Sequence, residues 1–365
     1  MAEIILFYLK KHDLEDYFMN KKLNKTLGAA ATAAFVSIGM LSGCSQALSG
    51  LKSSETSAAK TGEQDSEAGD LKVMASFYPM YDFAVKIGGD KAVVTNMVPS
   101  GTEPHDWEPA TTDIKNLEEA DLFIYSGAGM EHWVDGVLAG LGNKKLVSAE
   151  ASEGISLLPG HDEEEEQAEE GNAEAGNTEE HAEEEEHGHG DGEFDPHVWL
   201  SPMKAKKEME NIRDAFIKAD PDNQDYYETN YETYAAKFDE LDQKYKDALS
   251  DLPNKDIVVS HEAFGYLCDA YGLNQVGIEG LSPDSEPDPA RMAEIIDFVK
   301  ANHVKVIFFE ELVSPKVANA VAKEAGADVQ VLNPLEGLSD EELQDGADYF
   351  TVMENNLKQL EEALK

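Results

Sequence analysis

Residues 71–99 read LKVMASFYPMYDFAVKIGGDKAVVTNMVP and place a helix-like stretch between two short apolar runs. A strand, a helix and a strand in this order indicate two parallel strands with the helix packed across them. The alternation continues with a helix-like stretch at residues 113–120 and the apolar run DLFIYS at residues 121–126. We therefore predict an α/β fold with a parallel sheet flanked by helices.

The same alternation returns in the last third of the chain. Apolar runs at residues 256–260, 273–280, 304–310 and 327–334 are separated by helix-like stretches such as PARMAEIIDFVKAN at residues 289–302. A pattern that appears twice predicts two lobes, each with its own parallel sheet flanked by helices.

Two helices are predicted between the lobes, at residues 203–219 and 221–252, and they are separated at Asp220-Pro221 because proline disrupts a continuing helix. The second helix carries aromatic and aliphatic side chains at spacings of three and four residues, and at 1.5 Å per residue its 32 residues would reach about 48 Å. Such a helix would join the lobes as a rigid spine. The predicted organisation is an N-terminal α/β lobe (71–219), a connecting helix (220–252) and a C-terminal α/β lobe (253–365).

The sequence before residue 71 has the composition of a signal and a tether. Residues 19–44, MNKKLNKTLGAAATAAFVSIGMLSGC, resemble a bacterial lipoprotein signal with its lipobox, and the apolar run from Leu27 to Leu41 is shorter than the roughly 20 residues that span a bilayer. We expect residues 1–43 to be a signal peptide whose true start is Met19, and Cys44 to carry the lipid. Residues 44–70 are predicted to be a flexible tether. These features predict a protein that is lipid-anchored on the extracytoplasmic face of the cell membrane.

The charge of the chain excludes one class of partner. There are 74 acidic and 29 basic residues, which give a formal net charge of -45. The resulting field repels nucleic acid and attracts cations. With only two cysteines, no disulfide framework is available.

Residues 161–193 form an acidic, histidine-rich insert. They contain 16 Asp or Glu residues, no Lys or Arg, and the histidines His161, His181, His187 and His189. This composition cannot build a packed core, so we predict a disordered loop inside the N-terminal lobe. Its histidines either gather metal weakly or have no role.

Four side chains are candidate metal ligands. His105, His261 and Glu336 each follow a predicted strand, where open α/β sheets place their ligand sites. His197, in DPHVWLSP, follows the acidic loop. Two ligands from each lobe would form a closed four-coordinate site in the interlobe cleft, with no position for a catalytic water. This arrangement favours capture of a metal over its use in catalysis.

Several sequence blocks resemble one family. The blocks are GTEPHDWEP (101–109), DPHVWLSP (195–202), SHEAFGYLCDAYGL (260–273), GLSPDSEPDPARMAEI (280–295) and VLNPLEGL (331–338). They are similar to zinc-binding substrate-binding proteins of the solute-binding family 9 type. The resemblance implies two lobes joined by a long helix, Zn²⁺ held by His105, His197, His261 and Glu336 between them, and delivery to the permease and ATPase of an ABC transporter. We expect a monomer.

Three alternative functions remain open from the residues alone. Manganese-binding relatives typically have Glu and Asp where this chain has His261 and Glu336, and three imidazoles favour Zn²⁺ over Mn²⁺. A zinc enzyme is disfavoured because the chain has no HExxH motif and no GxSxG turn. A metal-dependent surface adhesin would use the acidic loop to bind a host partner.

Other candidate residues receive structural roles. His132, His303 and Cys268 are interpreted as structural residues rather than ligands. Glu103, Asp106 and Asp195 lie beside the proposed histidines and are candidates to hold the imidazoles by hydrogen bonds.

Overall fold

The computed structural model describes residues 70–160, 194–283 and 287–365. The predicted signal segment with Met19 and Cys44, the tether as far as residue 69, and the histidine-rich loop at 161–193 lie outside the described residues. In the described part of the chain, no helix has both the length and the apolar character needed to cross a bilayer.

The N-terminal lobe is a four-stranded parallel sheet in the order β2-β1-β3-β4. Val73 of β1 pairs with Val94 of β2 and with Leu122 of β3, so the central strand is hydrogen-bonded on both sides. The elements of this lobe are β1 (Leu71–Ala75), α1 (Tyr78–Gly88), β2 (Ala92–Asn96), α2 (Thr111–Glu118), β3 (Leu122–Tyr125), α3 (Val134–Gly140) and β4 (Val147–Glu150).

The C-terminal lobe repeats this topology, with a parallel sheet in the order β6-β5-β7-β8. Its central strands are apolar and buried on both faces, as expected when helices cover a parallel sheet. Its elements are β5 (Asp256–Val259), α6 (Gly265–Tyr271), β6 (Asn274–Gly277), α7 (Pro289–Ala301), β7 (Val306–Phe309), α8 (Lys316–Ala325), β8 (Asp328–Val331), α9 (Asp340–Gln344) and α10 (Tyr349–Leu364). Two parallel sheets flanked by helices confirm the predicted fold class.

Two helices connect the lobes, α4 (Pro202–Ala219) and α5 (Gln224–Leu249). Pro221 begins a 3₁₀ turn, so α5 starts three residues later than the predicted helix, and its 26 residues span about 39 Å. On α5, Phe238 packs edge-on against Phe83 of α1, while Tyr245 stacks on Tyr271 of α6. The helix therefore contacts both lobes, as the sequence predicted.

The C-terminal helix α10 also bridges the lobes. Asp348 caps it by accepting a hydrogen bond from the backbone N–H of Thr351 at 2.9 Å. The Tyr349 ring lies 5.1 Å from that of Phe83 in the N-terminal lobe, whereas Asn356 bonds to the C-terminal lobe. One continuous cluster of buried side chains includes residues of both lobes. Two bridging helices and a shared core restrict the movement of one lobe against the other.

Candidate metal centre

His105 lies in the loop between β2 and α2. Its backbone N–H donates to Glu103 Oε1 at 2.8 Å, and this bond shapes the loop rather than orienting the imidazole. The side chain is 11% exposed, so His105 is the most accessible member of the site. Its Nε2 atom points inward, 3.3 Å from Glu336 Oε1.

His197 is fully buried and directly precedes a short 3₁₀ turn, Val198–Leu200. Asp195 Oδ1 accepts hydrogen bonds from the His197 backbone N–H at 2.9 Å and from the ring Nδ1–H at 2.8 Å. Because Nδ1 is engaged by Asp195, Nε2 is the ring nitrogen that faces the site. Among Glu103, Asp106 and Asp195, which were predicted to hold imidazoles, Asp195 is the one that hydrogen-bonds to an imidazole ring in the described residues.

His261 follows β5 and is held from the opposite direction. Its Nε2–H donates to the Leu281 carbonyl oxygen at 2.8 Å, so Nδ1 faces the site. Nδ1 lies 3.7 Å from Glu336 Oε1 and 3.2 Å from Glu310 Oε1. His261 therefore turns a different ring nitrogen toward the site than His105 and His197 do.

Glu336 lies in the turn after β8 and is 1% exposed. Its Oε1 is 3.0 Å from His197 Nε2, and the two facing nitrogens of His197 and His105 are 3.3 Å apart. The second oxygen, Oε2, is buried without a hydrogen-bond partner. An unpartnered buried carboxylate oxygen beside three imidazoles is compensated when a cation binds.

Four of the six separations between these atoms are close to the edge lengths of a zinc tetrahedron. Bonds of about 2.0–2.1 Å to nitrogen and oxygen give tetrahedron edges of about 3.3–3.4 Å. The four atom pairs described above are separated by 3.0, 3.3, 3.3 and 3.7 Å, and all four candidate ligand atoms lie within 4.8 Å of one another. Within residues 70–160, 194–283 and 287–365, this is the only group of three or more His, Cys, Asp or Glu that could hold a metal ion.

Burial and mutual attraction set the pKa values of the four residues. Burial alone would lower the pKa of His261, but the carboxylates of Glu336 and Glu310 raise it to about 10. For His197 the hydrogen bonds to Asp195 and Glu336 outweigh burial and raise the pKa, while burial lowers the pKa of His105. Burial would raise the pKa of Glu336, yet the facing imidazoles of His261 and His105 lower it well below the ordinary value. The metal-free site therefore combines an ionised Glu336 with protonated imidazole, and a metal must displace protons.

Glu310 is a residue beside the cluster that was not among the sequence candidates. It is 4% exposed, and burial raises its pKa although His261 opposes the change. Its carboxylate lies on the Nδ1 side of His261, so it competes with Glu336 for that nitrogen. Glu310 directly follows β7, so the rule that selected His105, His261 and Glu336 would also have selected it.

The remaining sequence candidates lie away from this cluster or outside the described residues. His132 is partly exposed beside Glu108, His303 is exposed, and Cys268 is a buried free thiol in the core. Cys44 and the four loop histidines at 161, 181, 187 and 189 lie outside the described residues.

Comparison with known proteins places the chain within one family. Residues 73–363 match the family model described as ZnuA, zinc-uptake complex component A periplasmic. The High-affinity zinc uptake system protein ZnuA of Bacillus subtilis is 44% identical over 303 residues, which cover 83% of this chain and 90% of the relative.

A second relative is longer than this chain. The Zinc-binding protein AdcA of Streptococcus pyogenes is 44% identical over 294 residues, 80% of this chain but 56% of AdcA, so the chain spans about half the length of that relative. The crystal structure of the Zn(II)-bound ZnuA-like domain of Streptococcus pneumoniae AdcA has a TM-score of 0.67 and 40% identity, and the match covers 81% of this chain and 99% of that domain.

Proposed function

Because the chain belongs to the family of zinc-uptake complex component A proteins, we propose that it captures extracytoplasmic Zn²⁺ for an ABC transporter and holds the ion through His105, His197, His261 and Glu336. The observation that carries this proposal is the convergence of four ligand atoms within 4.8 Å of one another, with four of their six separations between 3.0 and 3.7 Å, near the edge lengths of a zinc tetrahedron. The ligands come from both lobes, so binding of the ion links the two lobes through the metal.

The donor set supports zinc rather than manganese. Three imidazole nitrogens and one carboxylate suit Zn²⁺, whereas Mn²⁺ prefers a site richer in oxygen. Four protein ligands also fill a tetrahedral site and leave no position for a reactive water. The family is a transport family, and capture followed by release accounts for a site of this kind without a catalytic step.

The partners follow from this role. We propose that the protein delivers zinc to a membrane permease driven by its ATPase, acts as a monomer and remains at the membrane through lipid on Cys44. The motif LSGC after a short apolar segment supports the anchor. Mass analysis of membrane-extracted protein tests it: diacylglycerol on Cys44 is expected, and an unprocessed N-terminus would contradict it.

The acidic loop is proposed to gather zinc weakly beside the tight site. Its support is compositional, since His161, His181, His187 and His189 lie among carboxylates. Deletion of residues 161–193 should preserve the tight site and remove additional weak zinc equivalents. A full-length protein that binds one equivalent in calorimetry would end this proposal.

Substitution of His261 with Glu tests the ligand set. The change removes a nitrogen ligand and adds a carboxylate, so zinc affinity should fall at least about tenfold. The ratio of zinc affinity to manganese affinity should also decrease. Affinities are measured by competition with a chelator of known affinity, and fluorescence of Trp199, whose ring is 5.4 Å from that of His197, reports the titration.

The matched control is His132→Glu, since His132 lies outside the cluster and should keep wild-type affinity. If His261→Glu binds zinc as tightly as the wild type with an unchanged metal ranking, His261 is not a ligand and the proposed site is wrong.

A further inference from the structure

The turn that presents Glu336 contains a strained residue. Leu335 has a φ of 62°, in the left-handed region that non-glycine residues rarely adopt, and it is fully buried. A residue held in this region is strained, and the conformation persists when surrounding contacts determine it. The backbone immediately before the only carboxylate of the proposed ligand set therefore depends on its neighbours.

Two buried asparagines hold this turn. The backbone N–H of Leu335 donates to Asn333 Oδ1 at 2.7 Å. Asn356, on α10, accepts from the Asn333 backbone N–H at 3.0 Å and donates through Nδ2 to the Asn333 carbonyl oxygen at 2.7 Å. Asn356 thus binds the backbone N–H and the carbonyl oxygen of Asn333, and the Asn333 side chain in turn holds the backbone of Leu335. Both side chains are buried, so these bonds do not compete with water.

The turn is held from the N-terminal lobe as well. Trp199 Nε1–H donates to the Pro334 carbonyl oxygen at 2.8 Å, and the Trp199 carbonyl oxygen accepts from Tyr349 Oη–H at 2.7 Å. Trp199 lies two residues after His197. The same buried network therefore joins the Glu336 turn, the His197 segment and the first residue of α10.

We propose that Asn356 is a positioning residue for the metal site: by clamping Asn333 it maintains the left-handed backbone at Leu335 and holds Glu336 Oε1 against the imidazoles. Asn356 touches no ligand and acts through Glu336, so this inference rests on the proposed ligand set. Loss of the clamp lets the turn relax toward an unstrained backbone, which moves the carboxylate and speeds release of zinc.

The test compares two neighbouring asparagines of α10. Asn356→Leu keeps the number and branching of the side-chain heavy atoms but removes both hydrogen bonds, and zinc dissociation should be about 10- to 100-fold faster. Asn355→Leu changes the exposed neighbour on the same helix and should leave the rate unchanged. Rates are measured by stopped-flow transfer of one bound zinc to an excess of chelator, and circular dichroism verifies that each metal-free variant is folded.

A double-mutant cycle separates positioning from general stability. In a Glu336→Ala background, Asn356→Leu should produce no further change in the dissociation rate, because its effect passes through the carboxylate. An equal acceleration in both backgrounds, or no acceleration in the wild-type background, would overturn the proposal. If Glu336→Ala itself leaves the rate unchanged, the ligand set fails instead.

Asn333→Ala serves as a second variant in case Asn356→Leu does not fold. It removes the acceptor for the Leu335 N–H while leaving the Asn333 backbone groups available to Asn356. Like Asn356→Leu, it should make zinc dissociate faster than from the wild type. A wild-type dissociation rate would contradict the proposal that these hydrogen bonds position Glu336.

Discussion

At the scale of single residues, the site is defined by which ring nitrogen each histidine turns inward. Asp195 fixes the proton on Nδ1 of His197, and the Leu281 carbonyl oxygen fixes it on Nε2 of His261. His197 therefore faces the cluster with Nε2 and His261 faces it with Nδ1, because the hydrogen-bond acceptor binds the opposite ring nitrogen in each case. Orientation of this kind reduces the reorganisation needed when zinc arrives.

Zinc binding should release protons near neutral pH. The pKa of His261 is raised to about 10 by Glu336 and Glu310, so the ring is protonated at pH 7.5 in the metal-free protein, and zinc binds neutral imidazole. Zinc affinity should therefore rise with pH up to about 10. Calorimetric titrations in buffers of different ionisation enthalpy should show release of about one proton or more, and His261→Gln should lower that number.

The same shift has a consequence for the metal-free fold. The pKa of His261 in the folded protein exceeds its unfolded value of about 6.5, so protonation of His261 stabilises the fold. This contribution is fully present below about pH 6.5 and is lost as the pH rises through about 10. Zinc binding that releases no proton at pH 7.5 would contradict the protonated state of His261.

Glu208 is a buried residue whose replacement should stabilise the protein. It is fully buried on α4 and neither carboxylate oxygen has a hydrogen-bond partner. Burial and repulsion from Glu131 raise its pKa well above the ordinary value. Because the folded pKa exceeds the unfolded one, stability is lost as the pH rises from about 4.3 through the folded pKa.

Glu208→Met should therefore raise stability at pH 8 by about 1–3 kcal/mol and by less at pH 5, as measured by denaturant unfolding. Glu210→Met is the control on the same helix, because Glu210 pairs with Lys207 at 2.7 Å and its pKa is lowered. A Glu208 variant that is less stable than the wild type at pH 8 would show that the carboxylate has a partner.

At the scale of elements, the position of α6 supports His197. A Cβ atom at Gly265, the first residue of α6, would collide with Asp195 Oδ2. That atom is the end of a side chain, so Gly265→Ala should be accommodated by displacement of the carboxylate that orients His197. Zinc affinity should fall about tenfold while the protein remains folded.

The control for this change is Gly136→Ala in α3, where an added methyl group meets nothing within 4 Å. It should leave zinc binding unchanged and preserve the fold. Equal affinities for the Gly265 and Gly136 variants in chelator competition would contradict the role of the close approach between α6 and Asp195.

The elements were predictable from the sequence to different extents. Apolar runs separated by helix-like stretches predicted both sheets, and the position of His105, His261 and Glu336 after strands predicted which side chains to examine. Helical periodicity shows which face of α10 is apolar but not which lobe that face contacts. The hydrogen bonds of Asn356 and the ring orientation imposed by Leu281 depend on atoms brought together by folding, so no local pattern predicts them.

At the scale of the whole molecule, the two lobes share one buried core and two bridging helices, α5 and α10. Such an assembly resists wide opening, so release of zinc should depend on small displacements at the ligands rather than on separation of the lobes. The net charge of -45 provides a long-range field that draws cations toward the protein.

The most direct test is X-ray absorption spectroscopy at the zinc edge on protein loaded with one equivalent of Zn²⁺. The proposed site predicts four nitrogen or oxygen neighbours at about 2.0–2.1 Å, with the multiple-scattering pattern of three imidazoles and no sulfur. His105→Ala, His197→Ala and His261→Ala should each remove one imidazole from that pattern. A sulfur neighbour at about 2.3 Å, a fifth or sixth ligand, or an imidazole count unchanged by all three substitutions would contradict the site.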